Sequence, residues 1–269
     1  MDHYVRKDCR LCGSQNLESA LRLSDSPLCD AYLRERKQQD FYPLGINLCM
    51  NCSFVQLDAV VNPEVIYRDY IYVTNSSYGL GQHFSKYCNE VCDYLSFSGN
   101  RLVVDVGSND GTLLKHFRQK KNRVVGVEPA IEISNEANAE GIKTYPRFFD
   151  KDLAEKMVSE VGNADLITVN NLFANIDDLH GFMHAADMLL SQDGVLVIES
   201  SYLYRMIENM VFDFIYHEHL SYLSATPLDA FMKGYDMHLI HTQAVPTKGG
   251  SMRYYFARLD SEWAMDPSV

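Results

Sequence analysis

The stretch RLVVDVGSNDGTLLKHF, residues 101–117, leaves a chain few ways to fold. LVVDV is a short apolar run around a single acid, the pattern of a strand buried on both faces. GSNDG follows without a spacer, and TLLKHF then carries its apolar residues at helical spacing. Strand, glycine loop and helix in immediate succession predict an α/β unit of a parallel sheet. Gly107 and Gly111 let the backbone turn tightly and approach a ligand closely. Asp105 falls at the end of the strand, where open α/β sheets bind their ligands.

RVVGVEP, residues 123–129, reads as the second strand. Glu128 ends it, about twenty residues past the loop, where an acid can accept hydrogen bonds from both hydroxyls of a ribose. The glycines run G-x-x-x-G rather than the dinucleotide pattern G-x-G-x-x-G. A pyrophosphate wants bare backbone N–H groups at a helix start, and Asp110 would repel it there. S-adenosylmethionine (SAM) has no phosphate, and its ammonium and sulfonium tolerate nearby carboxylates. The loop therefore predicts SAM over NAD. Asp105, Gly107, Asn109 and Gly111 would lie along the methionine end, Glu128 on the ribose and Pro129 beside the adenine. The competing reading is a glycine loop without a ligand.

The alternation continues. IKTY, DLITVNN (165–171) and GVLVIES (194–200) read as strands three to five, separated by helical DKDLAEKMVSEV and LHGFMHAADMLLS. TPLDAFMKG reads as a helix with Thr226 as cap, Pro227 at its first position and Gly234 as its stop. MHLIHTQAV and SMRYYFAR close the count at seven, as a hairpin-like pair around PTKGG. Seven strands of this kind predict the class I SAM methyltransferase sheet, a Rossmann-like α/β fold.

Ahead of the sheet, CRLC and CMNC supply Cys9, Cys12, Cys49 and Cys52. Each C-x-x-C sets two thiolates on one knuckle, and two knuckles offer the four soft ligands of a closed, structural Zn²⁺ site. A redox pair or four unconnected thiols are the alternatives. Cys29 reads as a packing residue. Cys88 and Cys92, four apart on a helix that includes Phe84, Tyr87, Val91 and Leu95, read as core-facing. The organisation expected is a zinc-binding module over 1–65, a helical connector over 66–98 contributing to the substrate site, and a methyltransferase domain over 99–269. The net charge of −12 disfavours nucleic acid as a partner. The absence of a long apolar run or an apolar signal core predicts a cytoplasmic protein away from membranes.

FDFIYHEHLSYLS, residues 212–224, is open to three readings: a metal site, a satisfied polar cluster, or acid–base machinery. His217 and His219 would share a face on a strand, but no third ligand is evident and H-E-x-x-H is absent.

CRLC…CMNC, DVGSNDGTLL, GVEP, FDFIYHEHLSY and KGGSMR stand in the order found in the sugar C-methyltransferases of deoxysugar biosynthesis, the enzymes similar to the mycarose 3-C-methyltransferase of tylosin biosynthesis. The chain resembles that family over nearly its whole length. The resemblance implies an N-terminal zinc module, a SAM domain, and methylation at C3 of a nucleotide-linked 4-keto-6-deoxysugar. It also implies a C-terminal domain that helps enclose the sugar nucleotide. The sequence stops shortly after GGSMRYYF, so the chain is expected to lack that domain.

Methylation beside a ketone requires a base that forms an enolate and a donor that steadies its oxygen. The resemblance gives the base to His219, with Tyr216 and Glu218 positioning substrate or base and Tyr222 a further candidate. His217 would be a partner behind the base or an alternative base. Tyr70 and Tyr72 resemble residues near the substrate. Lys248 and Arg253 would contact an anionic group such as a diphosphate. NNLFANIDD resembles the segment lining the methyl-donor pocket, which adds Asn171, Phe173 and Asn175. The alternatives are an O-methyltransferase on a sugar or other small metabolite, and a SAM-binding module without activity of its own. Oligomeric state is left open.

Overall fold

The computed structural model describes residues 2–29, 35, 38–67 and 79–267. Its front is built from five short strands: β1 (His3–Val5), β2 (Leu17–Ser26), β3 (Tyr42–Cys49), β4 (Val55–Leu57) and β5 (Ala59–Val61). β1 pairs with β5, and β2, β3 and β4 form an antiparallel meander. After α1 (Pro63–Tyr67) comes α2 (Leu80–Tyr94), which buries Phe84, Tyr87, Cys88, Val91 and Cys92. That is the apolar stripe expected of the connector helix.

The remainder alternates. β6 (Leu102–Val106), α3 (Thr112–Gln119), β7 (Arg123–Val127), α4 (Ile131–Ala139) and β8 (Thr144–Tyr145) make the first half. The second half is α5 (Lys151–Val161), β9 (Ala164–Asn170), α6 (Leu179–Leu189), β10 (Leu190–Ser201), α7 (Leu203–Glu208), β11 (Ser221–Tyr222), α8 (Ala225–Met232), β12 (Met237–Val245) and β13 (Ser251–Arg258). Seven strands form one sheet in the order β12-β13-β10-β9-β6-β7-β8. β13 alone runs against its neighbours, so the closing pair is antiparallel as the sequence implied. β6 is buried along its whole length, as a strand with helices on both faces must be. Each fully buried Val or Leu of this core stabilises the fold by about 1.5–3 kcal/mol.

Several local expectations change. β8 keeps only two residues of IKTY, and β10 begins at Leu190, in what reads as the end of a helix. The weakly patterned IEISNEANA folds as α4, which periodicity did not mark. Thr226 is not the cap of α8. Ser224, in extended backbone, holds that place, and Pro227 lies inside the first turn, where a missing N–H costs nothing. Gly234 sits past the helix in a 3₁₀ turn.

One strand ties the two parts together. β11 pairs with β4, giving the front sheet the order β11-β4-β3-β2. The front module is thus completed by two residues from the far end of the chain. Among the described residues no helix is long and apolar enough to cross a membrane.

Candidate active site

The proposed cofactor end is centred on the glycine loop. Gly107 has a φ of +79°, and a Cβ there would come within 2.9 Å of Leu172 Cδ2, so only glycine fits. Gly111 caps α3 at φ +71° with Ile142 side-chain atoms 3.3 Å from where its Cβ would be. Asn109, at φ +49°, takes a conformation that asparagine tolerates better than most residues. Asp110 does not face a ligand with bare charge: its carboxylate accepts from the Thr112 N–H at 3.0 Å and the Thr112 hydroxyl at 2.6 Å.

Asp105 and Glu128 are both buried at the ends of adjacent strands. Glu128 accepts from the backbone N–H of Asn109 at 3.1 Å and of Ala130 at 2.9 Å, which fixes its carboxylate across the loop. Burial nonetheless raises its pKa above the ordinary value. Burial raises Asp105 further, to about 7, against hydrogen bonds from Thr168 at 2.6 Å and Asn170 at 3.3 Å. A carboxyl so placed is a strong seat for a cation. Asn170 Oδ1 is buried beside it with no partner among the described residues. An orphaned acceptor next to a raised carboxyl fits the ammonium of an amino acid, which brings three donors. Asn170 and Thr168 escaped the sequence reading. The available signal was their place at the end of the strand beside Asp105.

The end proposed for the acceptor is assembled from distant parts. His219 Nδ1 lies 3.0 Å from the Phe214 carbonyl, which can only accept, so Nδ1 carries the proton. Nε2 is then the acceptor and takes the Tyr216 hydroxyl at 3.0 Å. Desolvation, with the nearby Lys248 charge adding to it, lowers the His219 pKa to about 4, so the ring is neutral near pH 7. His219 lines a small cavity with Asn171, Asn175, Ser200, Ser221 and Tyr222. One wall is therefore the stretch FDFIYHEHLSYLS and the other the carboxyl ends of β9 and β10. Asn171 holds a left-handed φ of +53° while its N–H donates to the Glu199 carbonyl. Tyr222 is buried, burial raises its pKa, and its hydroxyl has no partner among the described residues.

The other candidates separate. His217 turns away: its Nε2 donates to the Pro43 carbonyl at 3.2 Å and its ring meets Tyr42 edge-on. The two histidines of the stretch thus serve different neighbours rather than one metal. Glu218 is buried. Its charge acts on Lys248, which sits in the turn between β12 and β13 at φ +51°. Phe173 is fully buried against Phe182, so it packs rather than lines the cavity. Pro129 is half-buried after Glu128. Arg253, expected on an anion, is fully buried and engaged with Glu199 at 2.9 Å, Glu90 at 3.1 Å and Gln243 at 2.8 Å. Its charge is already neutralised by protein carboxylates, which corrects that expectation. Tyr70 and Tyr72 lie outside the described residues.

The four cysteines of the front module converge. Their sulfurs all lie within 4.8 Å of one another, with Cys9–Cys52 and Cys12–Cys49 at 3.6 Å. Four thiolates around Zn²⁺ stand about 3.8 Å apart if each bond is about 2.3 Å. The donor set therefore fits zinc in a closed site. The knuckles match: Gly13 N–H donates to Cys9 O and Ser53 N–H to Cys49 O, both residues at positive φ. Cys88 and Cys92 are buried as expected, whereas Cys29 is exposed rather than packed.

Arg10, inside the first knuckle, joins the module to both parts of the site. Its buried guanidinium donates to the Leu57 carbonyl at 3.0 Å, the Leu220 carbonyl at 3.1 Å and Asp177 at 3.0 Å. Asp177 also takes Arg6 at 2.9 Å and the Tyr4 hydroxyl. The module thus grips the segment after β9 and the stretch that carries His219. Sequence gave no sign of this residue's role, because its partners lie up to 210 positions away.

Comparison with known proteins finds matches for both parts of the chain. Residues 9–67 match a family described as "Putative zinc binding domain", and residues 81–242 match one described as "Methyltransferase domain". The C-methyltransferase NovU of Streptomyces niveus is 29% identical over 265 residues, which cover 97% of this chain and 63% of that protein. The chain thus spans under two thirds of the length of this curated relative. Among solved structures, the magnesium protoporphyrin IX methyltransferase of Synechocystis PCC 6803 with bound SAM superposes with a TM-score of 0.53 at 13% identity, covering 74% of this chain and 98% of that one. A SAM-dependent methyltransferase of Clostridium acetobutylicum ATCC 824 gives 0.50 at 14% identity, covering 72% and 95%. At such identities these two establish the fold alone. With more than half of its length matched by one family and the strand order of the class I sheet beneath the site, the chain belongs to the methyltransferase-domain family.

Proposed function

We propose that the protein is a SAM-dependent C-methyltransferase acting on carbon beside the ketone of a nucleotide-linked 4-keto-6-deoxysugar, with a structural zinc in its front module. The observation that carries this reading is the neutral His219, whose Nε2 is its accepting nitrogen, on a cavity that opens at the carboxyl ends of β9 and β10. Support comes from the family resemblance and from a relative named as a C-methyltransferase.

Bound SAM would supply an electrophilic methyl group. Asp105 and Asn170 would hold its ammonium and Glu128 its ribose hydroxyls. His219 would take the α-proton on Nε2. Its low pKa makes it a weak base, so the enolate must be stabilised strongly for the step to proceed. The Tyr216 hydroxyl, which donates to Nε2 at rest, becomes available to substrate once Nε2 is protonated. The charge of Lys248 acts on His219, that of Glu218 acts on Lys248, and an anionic acceptor would add to this balance. Four cysteines would hold zinc, which supplies folding energy and takes no part in the chemistry.

The test is to incubate the protein with SAM and a panel of dTDP- and GDP-linked 4-keto-6-deoxysugars and follow mass. A gain of one methyl, placed on carbon by NMR, is the expected result. Exchange of an α-proton in heavy water without SAM separates this chemistry from O-methylation, which needs no enolate. SAM binding without turnover or exchange on any of these sugars would overturn the reading.

A further inference from the structure

Two residues on the wall of the His219 cavity carry buried hydroxyls without partners. Ser221 and Tyr222 are each only 3% exposed, and both line the cavity with His219. Neither Ser221 Oγ nor Tyr222 Oη has a hydrogen-bond partner among the described residues. A buried polar atom left unpaired is costly, so two side by side call for a reason. The backbone beneath them is fixed. Ser221 and Tyr222 pair with Gln56 and Val55 of β4. The Leu57 N–H donates to the Leu220 carbonyl, and the Leu203 N–H to the Leu223 carbonyl. β11 is thus held from both edges.

The size of the cavity limits what can enter. Its volume is about 10 Å³, room for one water-sized group. A sugar ring or a diphosphate is far too large, whereas a single oxygen atom fits. Ala174 and Met206 bring apolar surface to the same walls. Both hydroxyls can donate: a serine hydroxyl carries a proton, and burial raises the Tyr222 pKa, so the phenol keeps its own near pH 7. A carbonyl oxygen has two lone pairs, one for each donor. An oxygen seated in so small a space keeps its carbon, and the carbon next to that, beside His219.

We propose that the Ser221 and Tyr222 hydroxyls seat the ketone oxygen of the acceptor in this cavity and hold it as an enolate oxygen while the neighbouring carbon is methylated. This rests on the proposed ketone chemistry and names the groups that make it feasible. His219 Nε2 takes the α-proton. The C–H electron pair becomes a carbon–carbon double bond, and the carbonyl π pair moves onto the oxygen. Ser221 and Tyr222 keep their protons and only donate hydrogen bonds, which strengthen as charge develops. When the α-carbon bonds the methyl group, the methyl–sulfur bond breaks, its pair stays on sulfur and the carbonyl re-forms. The proton on His219 then leaves to solvent. A cavity that is polar, water-sized and backed by a strand bonded on both edges needs no rearrangement at the moment of reaction.

The experiment uses Tyr222→Phe and Ser221→Ala, which delete one hydroxyl each and keep the rest of the wall. It follows α-proton exchange of the ketosugar in heavy water without SAM, kcat and KM for methyl transfer, SAM affinity, zinc content and Tm. Each variant is expected to slow exchange and kcat by about 10²-fold, the usual weight of one such donor, with KM changed by less than about threefold because the bonds matter most in the transition state. SAM affinity and zinc content should match wild type. Tm should hold or rise, because the hydroxyl removed has no bond to lose in the free protein. Exchange within about threefold of wild type in either variant would overturn the proposal and leave the cavity as a seat for an ordered water only. So would a fall in Tm and zinc content together with exchange, which would make the hydroxyls structural. Wild-type protein that neither exchanges nor methylates any ketosugar would remove the proposed function and this inference with it. Exchange lost in His219→Ala but kept in Tyr222→Phe and Ser221→Ala would remove this inference alone.

Discussion

The two ends of the site are built in opposite ways. The cofactor end comes mostly from one run, 105–130, in which strand, loop and helix follow one another and Glu128 reaches back across the loop by 19 positions, with Thr168 and Asn170 of the adjacent β9 added beside Asp105. The end proposed for the acceptor hangs between two sheets. His219 is held by Phe214 and Tyr216, its neighbours Ser221 and Tyr222 pair with β4, and Arg10 fastens Leu220 to the knuckle. A local site can survive damage elsewhere, whereas a suspended one depends on whatever holds its ends. Binding of the cofactor and chemistry on the acceptor should therefore be separable by substitution.

The largest separation is expected at the base. His219→Ala should lower methyl transfer by about 10³-fold, within the usual range for a general base, while equilibrium titration with SAM stays unchanged. A wild-type rate in this variant would reassign the base. Next is Cys49→Ser, which removes one of four convergent thiolates from a buried position. Zinc measured by elemental analysis should fall, and methyl transfer should drop by about 10²-fold as β4 shifts under β11. If SAM affinity fell equally, the two ends would not be independent and the comparison would break.

Glu128→Ala probes the other side. Losing charge-assisted hydrogen bonds worth about 1.5–3 kcal/mol should weaken SAM by about 10- to 100-fold, with α-proton exchange in the absence of SAM intact. The smallest effect is one of pH. Asp105 titrates near 7 in the free protein because burial disfavours its charge. A bound ammonium would favour the ionised form, so below pH 7 binding must release a proton. SAM affinity should fall by up to about tenfold per pH unit as pH drops below 7 and level off above it. Calorimetry in buffers of different ionisation heat measures that proton directly. Affinity flat from pH 5 to 8 would mean that Asp105 does not face the ammonium.

The contrast also explains what could be read from the chain. The central sheet was legible because its signals are local: apolar runs for buried strands, glycines at Gly107 and Gly111, and an acid ending each of two strands. The four cysteines were legible because metal ligands come in recognisable spacings. Elements with weak periodicity, such as α4, or with two-residue pairing, such as β11, left no trace. Within FDFIYHEHLSYLS the residue types announced polar chemistry, but nothing in their order says that His217 faces Pro43 and His219 faces the cavity. Arg253 reads as a cation available to an anion until the fold supplies Glu199 and Glu90.

The sequence by itself determined the strand–loop–helix frame, the knuckles and the acids at the strand ends, because each is fixed by neighbours within about one turn or one pleat of the backbone. Only the tertiary structure decided which histidine lines the cavity, which arginine is already paired, and that the front module completes its sheet with Ser221 and Tyr222. Hydrogen bonds and desolvation depend on groups brought close in space. In this chain those groups lie up to 210 positions apart, beyond the reach of any periodic pattern.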